Sequence, residues 1–93
     1  MGLEFTGINN QHIRYIIHDK WLYYFETKYF DVFNEKYNNL IDLFGTFRLE
    51  INHLQYLQIL LENDPVKPEI AKEFLIFITQ CINENTVLKA YGD

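Results

Sequence analysis

The chain of 93 residues contains no serine, one cysteine and two prolines. Without serine it can have no serine nucleophile, and it also lacks a glycine-rich loop that could cradle a phosphate. The single cysteine, Cys81, cannot form an internal disulfide, so nothing in the sequence indicates an oxidising compartment. Cys81 lies in an apolar stripe with no neighbouring base, and we therefore expect a buried, unreactive thiol.

Positive charge is also scarce. Eight Lys and Arg residues stand against thirteen acids, for a net charge of −5, and the eight are scattered singly without forming a basic patch. Binding to nucleic acid or to an anionic membrane is therefore not expected. No stretch approaches the ~20 apolar residues of a membrane helix, and the N-terminus lacks the basic and apolar regions of a signal peptide. These features predict a cytoplasmic protein whose partners, if it has any, are proteins.

Apolar residues make up 48% of the chain and charged residues 23%, which is typical of one folded domain, residues 1–93. Aromatic residues reach 17%, more than a small core requires. One interpretation is a Phe-rich core in which the Tyr hydroxyls reach water. The other is an interface, where Tyr and Trp are enriched. The sequence leaves both open.

The most regular segment is 31–44 (DVFNEKYNNLIDLF), which predicts one helix. At about 100° per residue, one side of this helix is apolar and the opposite side is a narrow acidic arc without Lys or Arg. The apolar side comprises Phe33, Tyr37, Leu40 and Phe44. The acidic arc comprises Asp31, Glu35, Asn38 and Asp42. Gly45 is expected to end this helix, and Thr46 to cap the next one.

The remaining elements are less uniform. Residues 10–30 fit neither a clean helical stripe nor a hairpin, and we favour a helix over a hairpin with strands near 13–17 and 21–25. A helix over 47–62 has apolar residues on two sides, so it must be covered twice. The two prolines in 63–68 predict a break, followed by an amphipathic helix over 69–84. Residues 86–91 can form a strand, with 3–6 as its partner.

The expected fold is therefore mostly α, a compact bundle of three to four helices with a short terminal strand pair at most. An α+β fold is the alternative if the chain ends pair.

Metal and catalytic signals are weak. Glu50 and His53 have the Glu-x-x-His spacing that di-iron helix bundles use, but those sites need the motif twice and two more glutamates. His12 and His18 are six residues apart, which suits neither helical nor strand ligand spacing. We therefore predict no cofactor, no metal and no enzymatic activity.

The acidic arc has two interpretations. Asp31 and Glu35 lie in the first turns, where the helix dipole stabilises negative charge, so a solvated face explains them. Asp42 near the other end, and the lack of compensating Lys at i+4, fit that explanation less well. The partner-binding residues predicted on this basis are Asp31, Glu35, Tyr37, Asn38 and Asp42.

The sequence therefore favours a non-enzymatic protein-binding module, such as an immunity protein or inhibitor that neutralises a basic partner of the nuclease-toxin kind. The alternative is a structural module that forms a homodimer through the second apolar side of the helix predicted over 47–62.

Overall fold

A computed structural model describes residues 2–92. Its strands are β1 (Gly2–Gly7), β2 (Arg14–His18), β3 (Thr46–Leu49) and β4 (Leu88–Tyr91). Its helices are α1 (Asp19–Phe25), a π-helical segment (Glu26–Phe30), α2 (Asp31–Tyr37), α3 (Ile51–Glu62) and α4 (Glu69–Asn83). No helix of residues 2–92 is long and apolar enough to cross a membrane.

The strands form one antiparallel sheet in the order β2-β1-β4-β3. Alternate residues of β1, β3 and β4 are buried, as Leu3 and Phe5 of β1 and Phe47 and Leu49 of β3 illustrate. The core lies on this side of the sheet, where the ring of Phe74 in α4 packs 5.4 Å from that of Phe5. The period of two in these strands therefore reflects one covered and one open sheet face.

The prediction of a mostly helical bundle is wrong, because the four-stranded sheet makes this an α+β fold. The chain ends pair, β1 with β4, as the α+β alternative required. The break at 63–68, the helix from Glu69 and the terminal strand are as predicted. The errors lie in the two segments whose strands were read as helix.

The first error is in residues 10–30, which contain both a strand and a helix. Arg14–His18 pair with β1, and the backbone of His18 is still extended where α1 begins at Asp19. The helix then passes through the π-helical segment. The wider turn there brings the rings of Phe25 and Phe30 into the same core, with 5.8 Å between the ring centres. A wheel drawn at the α-helical period shows no clean stripe because the period changes within the segment.

The second error is in residues 31–62. The helix that begins at Asp31 ends at Tyr37, because Asn38 and Asn39 both adopt the left-handed conformation, with φ of 56° and 62°. Thr46 does not cap a helix but begins β3, and α3 starts only at Ile51. The alternation of exposed and buried residues in Thr46–Leu49 is a strand pattern too short to stand out beside a long apolar run.

Candidate protein-binding surface

The exposed side of α2 carries the first two predicted binding residues. Asp31 and Glu35 lie one turn apart, and both are exposed. The ion pairs among residues 2–92 join Arg14 to Glu4 and Arg48 to Glu50, so neither involves α2. The cation of α2, Lys36, is directed to the other side, where its ammonium lies 4.4 Å from the centre of the Tyr56 ring. Asp31 and Glu35 are therefore uncompensated by any partner in the described chain.

The loop that follows α2 folds back along the helix. Asn38 is exposed and forms the left-handed C-terminal cap of α2. The side chain of Asn34 then holds the loop by two bonds: its Nδ2 donates to the carbonyl of Ile41 at 3.0 Å, and its Oδ1 accepts from the Ile41 amide at 2.9 Å. Such a bidentate contact gives the loop backbone the partners that a longer helix would have supplied.

Asp42 lies in this loop and not on a helix, contrary to the prediction. Its Oδ1 accepts a hydrogen bond from the amide of Phe44 at 2.9 Å, and its carbonyl accepts one from the amide of Gly45 at 3.3 Å. This is the local turn that Asp side chains commonly form with the backbone two residues on. Asp42 therefore has a structural role, and it remains exposed.

The turn presents Phe44, whose side chain is 82% exposed. It was expected on the buried side of a helix, so this prediction is wrong. Behind it, the carbonyl of Gly45 accepts a 2.7 Å hydrogen bond from the amide of Gly92 at the end of β4. A Cβ at Gly92 would collide with the carbonyl oxygen of Leu43, so the close approach of the two segments requires glycine there.

A shallow groove of about 370 Å³ lies between the loop and the preceding helical segment. Asp42 and Phe44 line this groove, and so does Glu26, which adds a second carboxylate to it. We call the resulting region the acidic loop surface. It comprises Glu26, Asp31, Glu35, Asn38, Asp42 and Phe44.

Tyr37, the remaining predicted binding residue, is half-buried and packs inside the helical layer. Its ring lies 4.7 Å from that of Phe33, 4.7 Å from the His53 imidazole and 5.7 Å from the Tyr56 ring. These edge-to-face and tilted contacts attach α2 to α3. The structure therefore places Tyr37 behind the acidic loop surface and not on it.

The Glu50 and His53 pair caps α3. Glu50 is the N-cap, its side chain accepts from the amide of His53, and its own amide donates to His53 Nδ1 at 2.9 Å. This reciprocal arrangement is a capping box, with His in the place usually taken by Glu or Gln. Burial lowers the pKa of His53, an effect that nearby Glu50 partly opposes. Among residues 2–92 no three His, Cys, Asp or Glu side chains could hold a metal ion together.

Cys81 is buried, as expected, and burial raises the pKa of its thiol to about 11. The second apolar side of α3, on which the homodimer alternative depended, is largely covered within the chain. Tyr56 packs on Phe33 and Tyr37, and Leu60 is half-buried, which leaves Ile59 as the one large apolar side chain of α3 that is exposed, at 50%. Little of this helix is available to a second copy.

No protein-family model, curated protein sequence or solved structure matches this chain. Its function must therefore be argued from its surface. The sequence interpretation missed Phe44 and Glu26 as surface residues. One signal was available for Phe44: consecutive asparagines tolerate the left-handed conformation, so Asn38 and Asn39 favour the end of a helix before Phe44 is reached. No sequence signal could have placed Glu26 and Asp42 in the same groove, because that groove depends on how the loop folds.

Proposed function

We propose that this chain is a non-enzymatic protein-binding module that holds a basic partner through the acidic loop surface. Its action resembles that of an immunity protein or inhibitor that covers the cationic active site of a nuclease toxin. The expected compartment is the cytoplasm, because the single cysteine requires no oxidising environment.

The observation that carries the proposal is the exposure of Phe44 on a loop that is held in place. A Phe that is 82% exposed contributes little to folding, whereas large aromatic side chains are common anchors at protein interfaces. Asn34 and Gly92 hydrogen-bond the loop backbone on either side of Phe44. A side chain held in this way loses little conformational entropy on binding, which favours affinity.

The charges around Phe44 supply the preference for a basic partner. Asp31, Glu35 and Asp42 are exposed, and none takes part in an ion pair among residues 2–92. Uncompensated charges of one sign attract an oppositely charged protein and accelerate its association. The side chain of Asp42 accepts the amide hydrogen bond of Phe44, so one of these charges lies beside the aromatic anchor, as in an interface with an apolar centre and a polar rim.

The test is affinity capture from the native cell with three baits, each at low ionic strength and at about 1 M salt, where the Debye length is about 3 Å. The baits are the wild-type chain, the double variant Asp31→Lys/Glu35→Lys, and a control in which Glu69, the first residue of α4, and Glu84, its C-cap, are changed to Lys. Both double variants make the same change in net charge at exposed positions.

We expect a basic protein that the wild type and the control both retain at low salt, and that the Asp31→Lys/Glu35→Lys bait loses. High salt should release it from every bait. A partner held equally by all three baits would contradict the proposal, because another surface would then explain the binding. A partner lost equally by both double variants would also contradict it, because net charge alone would then explain the binding. Capture of an acidic partner would contradict it as well.

A further inference from the structure

Strand β2 is an edge of the sheet, and one row of its backbone groups has no hydrogen-bond partner among residues 2–92. The amide of Gly7 donates to the carbonyl of Ile13 at 2.9 Å, so in an antiparallel ladder the hydrogen-bonded positions of this strand are 13, 15 and 17. The intervening residues direct their backbone groups away from β1. The backbone amide and carbonyl groups of Arg14 and Ile16, and the backbone amide of His18, therefore point outward from the edge of the sheet.

The common protections of an edge strand are absent from β2. Its pairing with β1 runs through five consecutive residue pairs without a bulge, and it contains no proline. Its one formal cation, Arg14, is bound to Glu4 across the strand pair, Nε to Oε2 at 2.8 Å. The opposite edge strand, β3, is one residue shorter than β2, with four residues against five, although each of the two strands leads directly into a helix. Of the two edges, β2 is thus the more open to another strand.

A groove of about 400 Å³ lies beside this edge, between β2 and the first turns of α4. Its inner wall is apolar where Tyr15 meets Ile70. The Tyr15 hydroxyl donates to the carbonyl of Ile70 at 3.4 Å, and its ring stacks on Phe77 at 5.2 Å. Its volume lies within the usual range of ligand sites. A strand edge with a helix alongside is also the arrangement in which proteins bind extended peptides by adding a strand.

Of the two formal charges that line the groove, Arg14 is bound to Glu4, so the carboxylate of Glu73 is the one that selects an occupant. Glu73 is exposed and forms no ion pair among residues 2–92. An extended peptide directs every second side chain to the same face. A peptide strand beside β2 would therefore present one residue to Tyr15 and Ile70, and the residue two positions away to Glu73. The complementary pair is an aliphatic residue and a Lys or Arg.

We propose that the edge of β2 binds an extended segment of a partner protein as a fifth strand, with an aliphatic residue and a Lys or Arg two positions apart facing α4. Backbone groups of Arg14 and Ile16 supply the affinity that does not depend on sequence. Tyr15, Ile70 and Glu73 supply the selection. This site shares no residue with the acidic loop surface, so the two proposals can be tested independently.

The test is a titration of the full chain, labelled with ¹⁵N, with two synthetic peptides. One is acetyl-TTVTKTT-amide, whose valine and lysine share a face, and the other is acetyl-TTVTETT-amide, which differs in the charge alone. Each is added to the wild type, to Glu73→Lys and to Glu84→Lys, the last being a matched charge change at the far end of α4. A fourth variant, Ile16→Pro, removes one outward amide, and proline is tolerated at such an edge position.

We expect saturable shifts of the Arg14, Ile16 and His18 amides with the lysine peptide. Glu73→Lys should weaken that peptide by about five- to tenfold and reverse the preference between the two, because an exposed attraction becomes a repulsion. Glu84→Lys should leave both affinities unchanged, and Ile16→Pro should abolish binding while the spectrum remains dispersed.

Three outcomes would overturn the proposal. The first is the absence of saturable shifts at these amides. The second is an unchanged peptide preference in Glu73→Lys. The third is a shift of the same amides with protein concentration alone, together with a mass near twice 11.3 kDa, which would show that the edge is occupied by a second copy of the chain.

Discussion

The Asn34 side chain and the Ile41 backbone form a pair of hydrogen bonds, 3.0 Å from Nδ2 to the carbonyl and 2.9 Å from the amide to Oδ1. This pair fixes the loop after α2 against the helix that precedes it. The loop carries Asp42 and Phe44, so the position of these two residues depends in part on one amide side chain.

Replacement of Asn34 by Ala should lower the free energy of unfolding by about 1–3 kcal/mol, because both backbone groups of Ile41 lose their partner. Urea denaturation measures this loss. Asn52→Ala is the control, since Asn52 is exposed on α3 and makes no hydrogen bond with its side chain among residues 2–92. An equal effect of the two changes would show that Asn34 does not hold the loop.

Phe44→Ala should separate binding from stability. The side chain is 82% exposed, so we expect the free energy of unfolding to change by less than about 0.5 kcal/mol. Affinity for the captured partner should fall by at least tenfold, the usual cost of truncating a central aromatic anchor. Isothermal titration calorimetry measures the affinity. The matched control is Ile76→Ala, since Ile76 is 69% exposed on α4; if it costs as much affinity, Phe44 is not the anchor.

The capping box of α3 should make stability depend on pH. His53 accepts the amide proton of Glu50 through Nδ1, which requires the unprotonated ring, and burial lowers the folded pKa below the ordinary value of 6.5. Between these two pKa values the unfolded chain binds more protons, so stability falls as the pH decreases below about 6.5 and levels off below the folded pKa.

His53→Gln should remove this pH dependence, because the Gln side chain keeps an acceptor for the Glu50 amide but does not titrate. The measurement is the urea midpoint between pH 7.5 and 5. His12→Gln serves as the control, since His12 is exposed. The interpretation fails if the midpoint of His53→Gln still falls over this range as it does in the wild type.

A fourth prediction concerns the connection between the helices. The buried Tyr29 hydroxyl donates to Asp64 Oδ2 at 2.7 Å, and this bond is the main reason that the pKa of Asp64 lies below its ordinary value of 3.8. Tyr29→Phe should cost about 1.5–3 kcal/mol at pH 7. A lowered carboxyl pKa stabilises the fold above pH 3.8, and this contribution is lost as the pH falls through the folded pKa.

The cost of Tyr29→Phe should therefore be smaller at pH 3 than at pH 7, which urea unfolding at the two pH values would measure. Tyr23→Phe is the control, because the Tyr23 side chain is 75% exposed. A cost that does not change with pH would mean that the hydrogen bond does not favour the ionised form of Asp64.

The sequence predicted those elements whose pattern is long and uninterrupted. The amphipathic stripe of α4, between a proline-marked start at Glu69 and its end at Asn83, is one. The sequence predicted the pairing of the chain ends only as an option of the helical bundle and as the basis of the α+β alternative. A short strand has a weak pattern of its own and depends on packing against its partner. The predicted helix from Asp31 is too long. The helical spacing of apolar residues continues to Phe44, whereas the backbone leaves the helix at Asn38.

The candidate surface was predicted in part. Asp31, Glu35, Asn38 and Asp42 are all exposed, but they belong to a helix and a loop and not to one stripe. Tyr37 is half-buried because its ring is needed between α2 and α3. The exposure of Phe44 follows from the turn that Asp42 forms, and helical periodicity contains no information about such a turn.

The central claim is that the acidic loop surface attracts and holds a basic partner. The most direct measurement is the association rate of the purified chain with the captured partner, across a range of ionic strength, for the wild type and for Asp31→Asn/Glu35→Asn. We predict that the wild-type rate falls at least tenfold from low to high salt, and that the variant is slower at low salt with a clearly smaller salt dependence. Identical salt dependence in the two proteins would contradict the claim.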